Sequence, residues 1–335
     1  MSAPYPWLES EWMDLQSRLR SGAMGHAYLL SGREGLGKLA LAESFARAVL
    51  CEDRLSGSGA CSQCRSCVLF ASGSHPDFKR LARDQDHKGI LIDQVRELIN
   101  YYTLKSHYGG FKLTIICPAE TMNTAAANAL LKVLEEPPAG ALILLVAHRP
   151  ALLPSTVRSR CQQINVEMPP FHVVEDWLAG QGPGDANRTA IGSLTLMGAP
   201  LDVARQLESG AATLLNDLIG ALEATAARRR HALEAARDFA EIEVETFINA
   251  LETLLQALIL LRVGHRRRRL RVPQPQLESL QEISNKLNFK RLFLYFDEVA
   301  FARSMVLRSS GVRGAEIIEN LWLGWTRAIL TENTV

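Results

Sequence analysis

From Met1 to about Val166, short apolar runs alternate with longer stretches of helical periodicity. His26–Ser31 (HAYLLS) is a brief apolar run with Gly25 before it and the glycines of GREGLG after it, the signature of a buried strand. Lys112–Cys117 (KLTIIC) and Ala141–Ala147 (ALILLVA) are two more runs of this kind with β-branched content. Between them, Asn123–Glu136 predicts a helix that Asn123 or Thr124 can cap and Pro137-Pro138 stops. Leu39–Leu50 predicts another, opening directly after the glycines. Strands separated by helices at this spacing imply βαβ units, so the region is expected to be α/β, a mainly parallel sheet with helices on both faces.

After Met168-Pro169-Pro170 the pattern changes. Phe171–Leu207 is mostly helical, interrupted by GQGPGD, and Gly210 marks a second boundary. Beyond it Val244, Phe247, Ile248, Leu251, Leu254, Leu255, Leu258 and Leu261 recur at three- and four-residue spacing. Ile318, Leu321, Trp322, Trp325 and Ile329 do the same. Three domains are expected: 1–166 α/β, with a cysteine-rich module at 51–67; 167–208 small and all-α; 209–335 an all-α bundle.

Composition narrows the class. With 335 residues, 47% hydrophobic and 22% charged, the chain is an ordinary globular protein rather than a disordered one. No repeat and no basic-then-apolar leader is visible, and no uninterrupted apolar run approaches the ~18 residues of a membrane span, so a cytoplasmic protein without membrane partners is expected. The formal charge of +1 means that nucleic-acid contact needs a local patch or basic partners.

The first candidate chemistry is Gly32-Arg33-Glu34-Gly35-Leu36-Gly37-Lys38, a G-x-x-x-x-G-K sequence between a strand and a helix. Backbone N–H groups around Gly32, Gly35 and Gly37 and the helix N-terminus form an anion cradle, and Lys38 supplies a point charge. A glycine-rich turn without a ligand is the plainer alternative. Leu39 stands where a Mg²⁺-binding Ser or Thr is needed, and the strand at 112–117 runs into Cys117-Pro118 rather than an acidic pair. Glu120, two residues on, should point elsewhere. The loop is expected to hold ATP weakly or not at all, and not to hydrolyse it.

The second is the cysteine pattern Cys51-x9-Cys61-x2-Cys64-x2-Cys67. C-x-x-C turns aim both sulfurs at one metal, and in a cytosolic chain such a cluster favours metal over disulfides. Structural zinc is the leading reading; an iron–sulfur centre and unbound thiols remain as alternatives. Cys117 and Cys161 stand alone and read as buried thiols.

Several strings together resemble the delta-prime family of bacterial DNA polymerase III clamp-loader AAA+ subunits. They are His26-Ala27-Tyr28 before the loop, the four cysteines, His75-Pro76-Asp77, Asn128–Pro138 (NALLKVLEEPP) and Arg158-Ser159-Arg160-Cys161. The resemblance covers almost the whole chain. It implies an AAA+ RecA-like domain with a zinc module, a small lid and a helical collar used for oligomerisation. It also implies a subunit that does not hydrolyse ATP but offers Arg160, flanked by Ser159 and Cys161, as an arginine finger to a neighbouring ATP site. Partners implied are the ATPase motor subunits and delta in a five-subunit ring, with the sliding clamp and primer–template DNA reached through the complex. No independent catalysis is expected, only a part in a DNA-directed DNA polymerase holoenzyme. The rival readings are an active motor ATPase and a zinc-dependent nucleic-acid-binding protein with a vestigial nucleotide fold. Without the resemblance, a local salt bridge is the preferred role of Arg160.

Other features carry less. The arginine run within Arg262–Arg271 reads chiefly as a solvated helix end and loop, with contact to DNA phosphates or an acidic partner surface as the alternative; the lack of interleaved aromatics counts against a single-strand stacking platform, and Arg228–Arg230 is weaker still. Trp322 and Trp325 read as core or oligomer contacts, and His26, His75 and His148 as structural.

Overall fold

The structure, a computed structural model, describes residues 3–53, 59–83, 89–108, 110–180, 199–208, 211–263, 274–308 and 313–329. Two compact units divide the chain, Met1–Val173 and Val174–Val335.

In the first unit the elements run α1 (Glu9–Ser21), β1 (Ala27–Ser31), α2 (Lys38–Leu50), α3 (Arg65–Ala71), β2 (Phe78–Leu81), α4 (Ile92–Thr103), β3 (Lys112–Ile116), α5 (Thr124–Glu135), β4 (Ala141–Ala147), α6 (Ser155–Arg158) and β5 (Gln162–Asn165). The strands form one parallel sheet in the order β2-β3-β4-β1-β5, with Ala27 opposite Ile143 and Lys112 opposite Ala141. β1, β3 and β4 are buried along their whole length, which is why they read as unbroken apolar runs. Alternation divides β1 between two layers. Ala27 and Leu29 join a core with Val95 and Leu98 of α4 and Leu130 and Val133 of α5. Tyr28 meets Phe45 of α2 edge to face at 6.3 Å. Each such fully buried side chain contributes about 1.5–3 kcal/mol.

The polar Lys112 inside buried β3 needs compensation. Its ammonium donates to the Tyr101 carbonyl at 2.7 Å and lies 4.0 Å from the centre of the Tyr101 ring. α5 starts where Asn123 Oδ1 accepts from the Ala126 N–H at 2.7 Å, and ends before the two prolines. β2 (FKRL) and β5 (QQIN) are the edge strands and keep polar exposed positions, so neither carries an apolar run.

The second unit is helical. Val174, Leu178 and Val203, from the region expected as a lid, share one core with Leu218, Leu222, Leu251, Leu255, Trp322 and Trp325 from the region expected as a collar. The helix Val244–Arg262 is, by length and composition, apolar enough to cross a membrane, although no uninterrupted run marks it. Half of it is buried inside the protein, with Phe247, Leu251, Leu254 and Leu258 in the core. Trp322 and Trp325 are core residues, 1% and 0% exposed. Most of the GQGPGD segment, Gly210, and the arginine run beyond Arg262 lie outside the described residues.

Candidate functional site

The G-x-x-x-x-G-K loop joins the end of β1 to the start of α2. Gly32, Gly35 and Gly37 have φ of 143°, 78° and 79°, a region that side chains avoid, so glycine is required by the path itself. A Cβ at Gly32 would strike the Val166 carbonyl, and one at Gly37 the Tyr5 ring. Tyr5 stacks on Trp7 at 5.0 Å, and the Trp7 indole donates to the Leu36 carbonyl at 3.0 Å. The segment before α1 thus lies against the loop. Lys38 is 2% exposed, and its ammonium donates to the carbonyls of Gly32 at 2.7 Å and Arg33 at 2.6 Å. The loop closes on its own cation.

The neighbouring strand end offers no help to a magnesium ion. Cys117 is buried, its N–H is tied to the Leu81 carbonyl, and burial pushes its thiol up to about 11. The carboxylate of Glu120 accepts from the backbone N–H groups of His148 (3.0 and 3.2 Å) and Arg149 (3.1 Å), just after β4. Its role there is to secure a turn.

Cys51, Cys61, Cys64 and Cys67 converge. Their four sulfurs all lie within 4.8 Å of one another, with Cys51–Cys64 at 3.9 Å and Cys61–Cys67 at 4.0 Å. Four thiolates about 2.3 Å from one ion sit roughly 3.8 Å apart, so the set can hold a single tetrahedral metal. Backbone N–H groups favour the thiolate form: Cys61 N–H reaches Cys51 Sγ at 3.3 Å, Cys64 N–H reaches Cys61 Sγ at 3.3 Å, and Cys67 N–H reaches Cys64 Sγ at 3.4 Å. The N–H groups of Gln63 and Cys64 bring the Cys61 thiol down to about 6, whereas burial raises Cys51 and takes Cys67 up to about 12. Binding metal must overcome that cost of burying charged thiolates.

Beneath the cage runs a buried chain of hydrogen bonds that the sequence marked only as the string His75-Pro76-Asp77. His75 Nδ1 accepts from the Asp77 N–H at 3.1 Å, which assigns the proton to Nε2. Nε2 then donates to Ser66 Oγ at 2.7 Å, and Ser66 donates to the Leu50 carbonyl at 2.6 Å. Burial lowers the His75 pKa despite the nearby charges of Asp77 and Glu52, favouring the neutral ring. The Asp77 carboxylate accepts from Ser106 Oγ (2.9 Å), His107 N–H (3.0 Å) and Tyr108 N–H (3.1 Å). The network joins α3 to the end of α2 and to the 106–108 loop. Serine 66 beside a histidine is not a nucleophile here, because its only proton is spent on a backbone carbonyl.

Ser159, Arg160 and Cys161 lie between α6 and β5. Ser159 Oγ donates to the Thr156 carbonyl at 3.1 Å, closing α6. Cys161 is buried, donates to the Val157 carbonyl at 3.3 Å, and its thiol is pushed up to about 12 by burial. These two build the turn; Arg160 extends from it with its side chain 37% exposed. Its guanidinium donates to the Thr156 carbonyl at 3.0 Å and pairs with Glu135 at the end of α5 at 2.7 Å. The local ion pair is therefore real, and its solvent-facing side leaves the cation accessible. Elsewhere, Arg229 pairs with Glu223 and Arg230 with Asp238, while His26 Nε2 bonds the Leu134 carbonyl, all structural contacts.

Known proteins resemble this chain over much of its length. A family model described as DNA polymerase III, delta subunit, matches residues 8–170. The delta' subunit of Yersinia pestis is 30% identical over 332 residues, 98% of this chain and 96% of that protein. That of Pseudomonas aeruginosa is 40% identical over 206 residues, 61% of this chain and 62% of that protein. A solved gamma-subunit-related protein of Thermotoga maritima aligns over 94% of this chain and 99% of its own at 17% identity, with a TM-score of 0.44. The near full-length relationship to the Yersinia protein shows that this chain belongs to the DNA polymerase III delta' family, the clamp-loader subunits that its motifs resemble.

Proposed function

We propose that this chain is the non-hydrolysing member of a clamp-loader ring and acts on ATP held by the motor subunit beside it. The observation that carries this reading is the closed phosphate loop: the Lys38 ammonium is hydrogen-bonded to the carbonyls of Gly32 and Arg33, with Leu39 and Cys117-Pro118 at the positions where magnesium chemistry needs a hydroxyl and carboxylates. Those carbonyls take two of the three N–H donors of Lys38, so a phosphate would compete with them for the ammonium. Arg160 supplies what such a subunit can still contribute, a partly exposed guanidinium that stabilises charge on a transferring phosphoryl group. The partners in this reading are the motor subunits and delta in a five-membered ring, which opens a sliding clamp and places it on primer–template DNA.

The cysteine cage completes the reading as a structural zinc site. Four cysteines fill a tetrahedron and leave no position for a reactive water. The sulfur spacing suits one ion and is too tight for the core of a multi-iron cluster.

The deciding experiment is reconstitution with the motor and delta subunits, the sliding clamp and primed DNA. Arg160→Ala should leave assembly intact by gel filtration and lower ATP turnover at the adjoining site by about 10³-fold, the lower end of the range for arginine fingers. Unaltered single-turnover hydrolysis at that site would remove the finger role.

A further inference from the structure

Arg160 does not stand free. The contact that engages it, Glu135, belongs to a different element, since α5 and the turn after α6 are separated by β4. The pair is short, at 2.7 Å, and the same guanidinium is steadied on its other nitrogen by the Thr156 carbonyl at 3.0 Å. Both charged side chains are nevertheless well hydrated, 37% and 49% exposed. An ion pair in that setting is weak because water and salt screen it. The arrangement therefore sets the direction of the guanidinium without committing it. The N–H group that Arg160 gives to Glu135 cannot at the same moment be given to a phosphate, so engagement in trans competes with this carboxylate for the guanidinium.

We infer that Glu135 is a positioning residue that holds Arg160 in the unengaged subunit and competes with the neighbouring subunit's nucleotide for it. The inference rests on the reading of Arg160 as a finger and assigns to Glu135 the control of when that finger is available. The carboxylate acts as an exchangeable ligand. Its strength, that of an exposed pair, makes the exchange cost a factor of about two to five in apparent affinity. That is large enough to tune occupancy of the adjoining ATP site and small enough to be reversed at each cycle.

The test is a double-mutant cycle in the reconstituted complex, with ATP as the probe. Glu135→Gln keeps the shape and removes the charge. It should lower KM for ATP at the adjoining site about two- to fivefold at low ionic strength, an effect that shrinks as salt is raised. In an Arg160→Ala background the same substitution should change KM by nothing. In the free chain, the Arg160 Nε resonance should move on Glu135→Gln, reporting loss of the pair without any reference to activity. An unshifted Nε signal, an unchanged KM with Arg160 present, or an equal KM shift with Arg160 absent would each overturn the role of Glu135 while leaving the finger in place. A normal rate from Arg160→Ala alone defeats the finger itself, and the inference with it.

Discussion

Asp77 shows what a single buried residue can organise. It is 0% exposed, and burial alone would raise its pKa. The donors from His107, Ser106 and Tyr108, with the facing His75, more than offset that and hold the carboxyl below its usual range. Its stabilisation is therefore present above the unfolded value of about 3.9 and is lost as pH falls through the lower folded value. Asp77→Ala leaves three donors without an acceptor and should cost about 2–4 kcal/mol, read as a lower urea midpoint. Asp77→Asn should flatten the fall in stability below pH 4, and an unchanged acid limb would contradict the account. None of this was legible in the sequence, because the partners of Asp77 lie 29–31 residues away. Glu120 was legible only in the negative: its place in the chain excluded magnesium but gave no hint of the turn it secures after β4.

Among the elements, those buried on both sides announced themselves. β1, β3, β4 and α5 each had an apolar pattern or a cap that could be read directly. Edge strands β2 and β5 did not, since one side of each is free to be polar. α3 was hidden for a different reason: it opens on Cys64, whose sulfur accepts the Cys67 N–H as a cap, so a metal-ligand pattern occupies the place of an ordinary helix signal. This dependence yields a prediction. Cys61→Ser with Cys64→Ser should reduce bound zinc from about one per chain to none by plasma emission analysis, and expose residues 51–71 to protease. Protection of β1, β3 and β4 should persist, because their ladders do not involve the module. Iron in place of zinc, or no metal in the parent chain, would reject the assignment. In the helical unit, Gly324 lies where the helices Phe289–Arg308 and Gly314–Ile329 cross. A Cβ there would come within 2.6 Å of Glu298 Oε2 and 2.8 Å of the Tyr295 ring. Tyr295 is held by its hydroxyl, which donates to the Leu321 carbonyl at 2.7 Å, so it cannot swing aside. Gly324→Ala should destabilise the unit by about 1–3 kcal/mol in thermal unfolding, and a stabilising result would show that the crossing has room for a methyl group.

For the molecule as a whole, each unit has its own hydrophobic core, one around the sheet and one among the helices. Leu255 is 0% exposed in the helical core. Leu255→Ala should cost about 2–5 kcal/mol there. Amide exchange should accelerate throughout the helices of the second unit and remain as in the parent for β1 and β4; acceleration everywhere would mean that the two cores unfold as one. The sequence suggested three regions. The composition break at Met168–Pro170 is sharp, whereas Val174, Leu178 and Val203 bury themselves in the same core as the later helices, a fact that no local pattern expresses.

By itself, the sequence determined the parallel α/β layer, the absence of a hydroxyl at Leu39 and of carboxylates at Cys117-Pro118, and the four-cysteine set, because each depends on residue type within a short span of chain. Tertiary structure alone decided that Lys38 turns onto its own loop, that Ser66, His75 and Asp77 brace the cysteine module, and that Arg160 rests against Glu135. Those outcomes depend on which groups the folded backbone brings within hydrogen-bonding distance, and hydrogen bonds act only at that range.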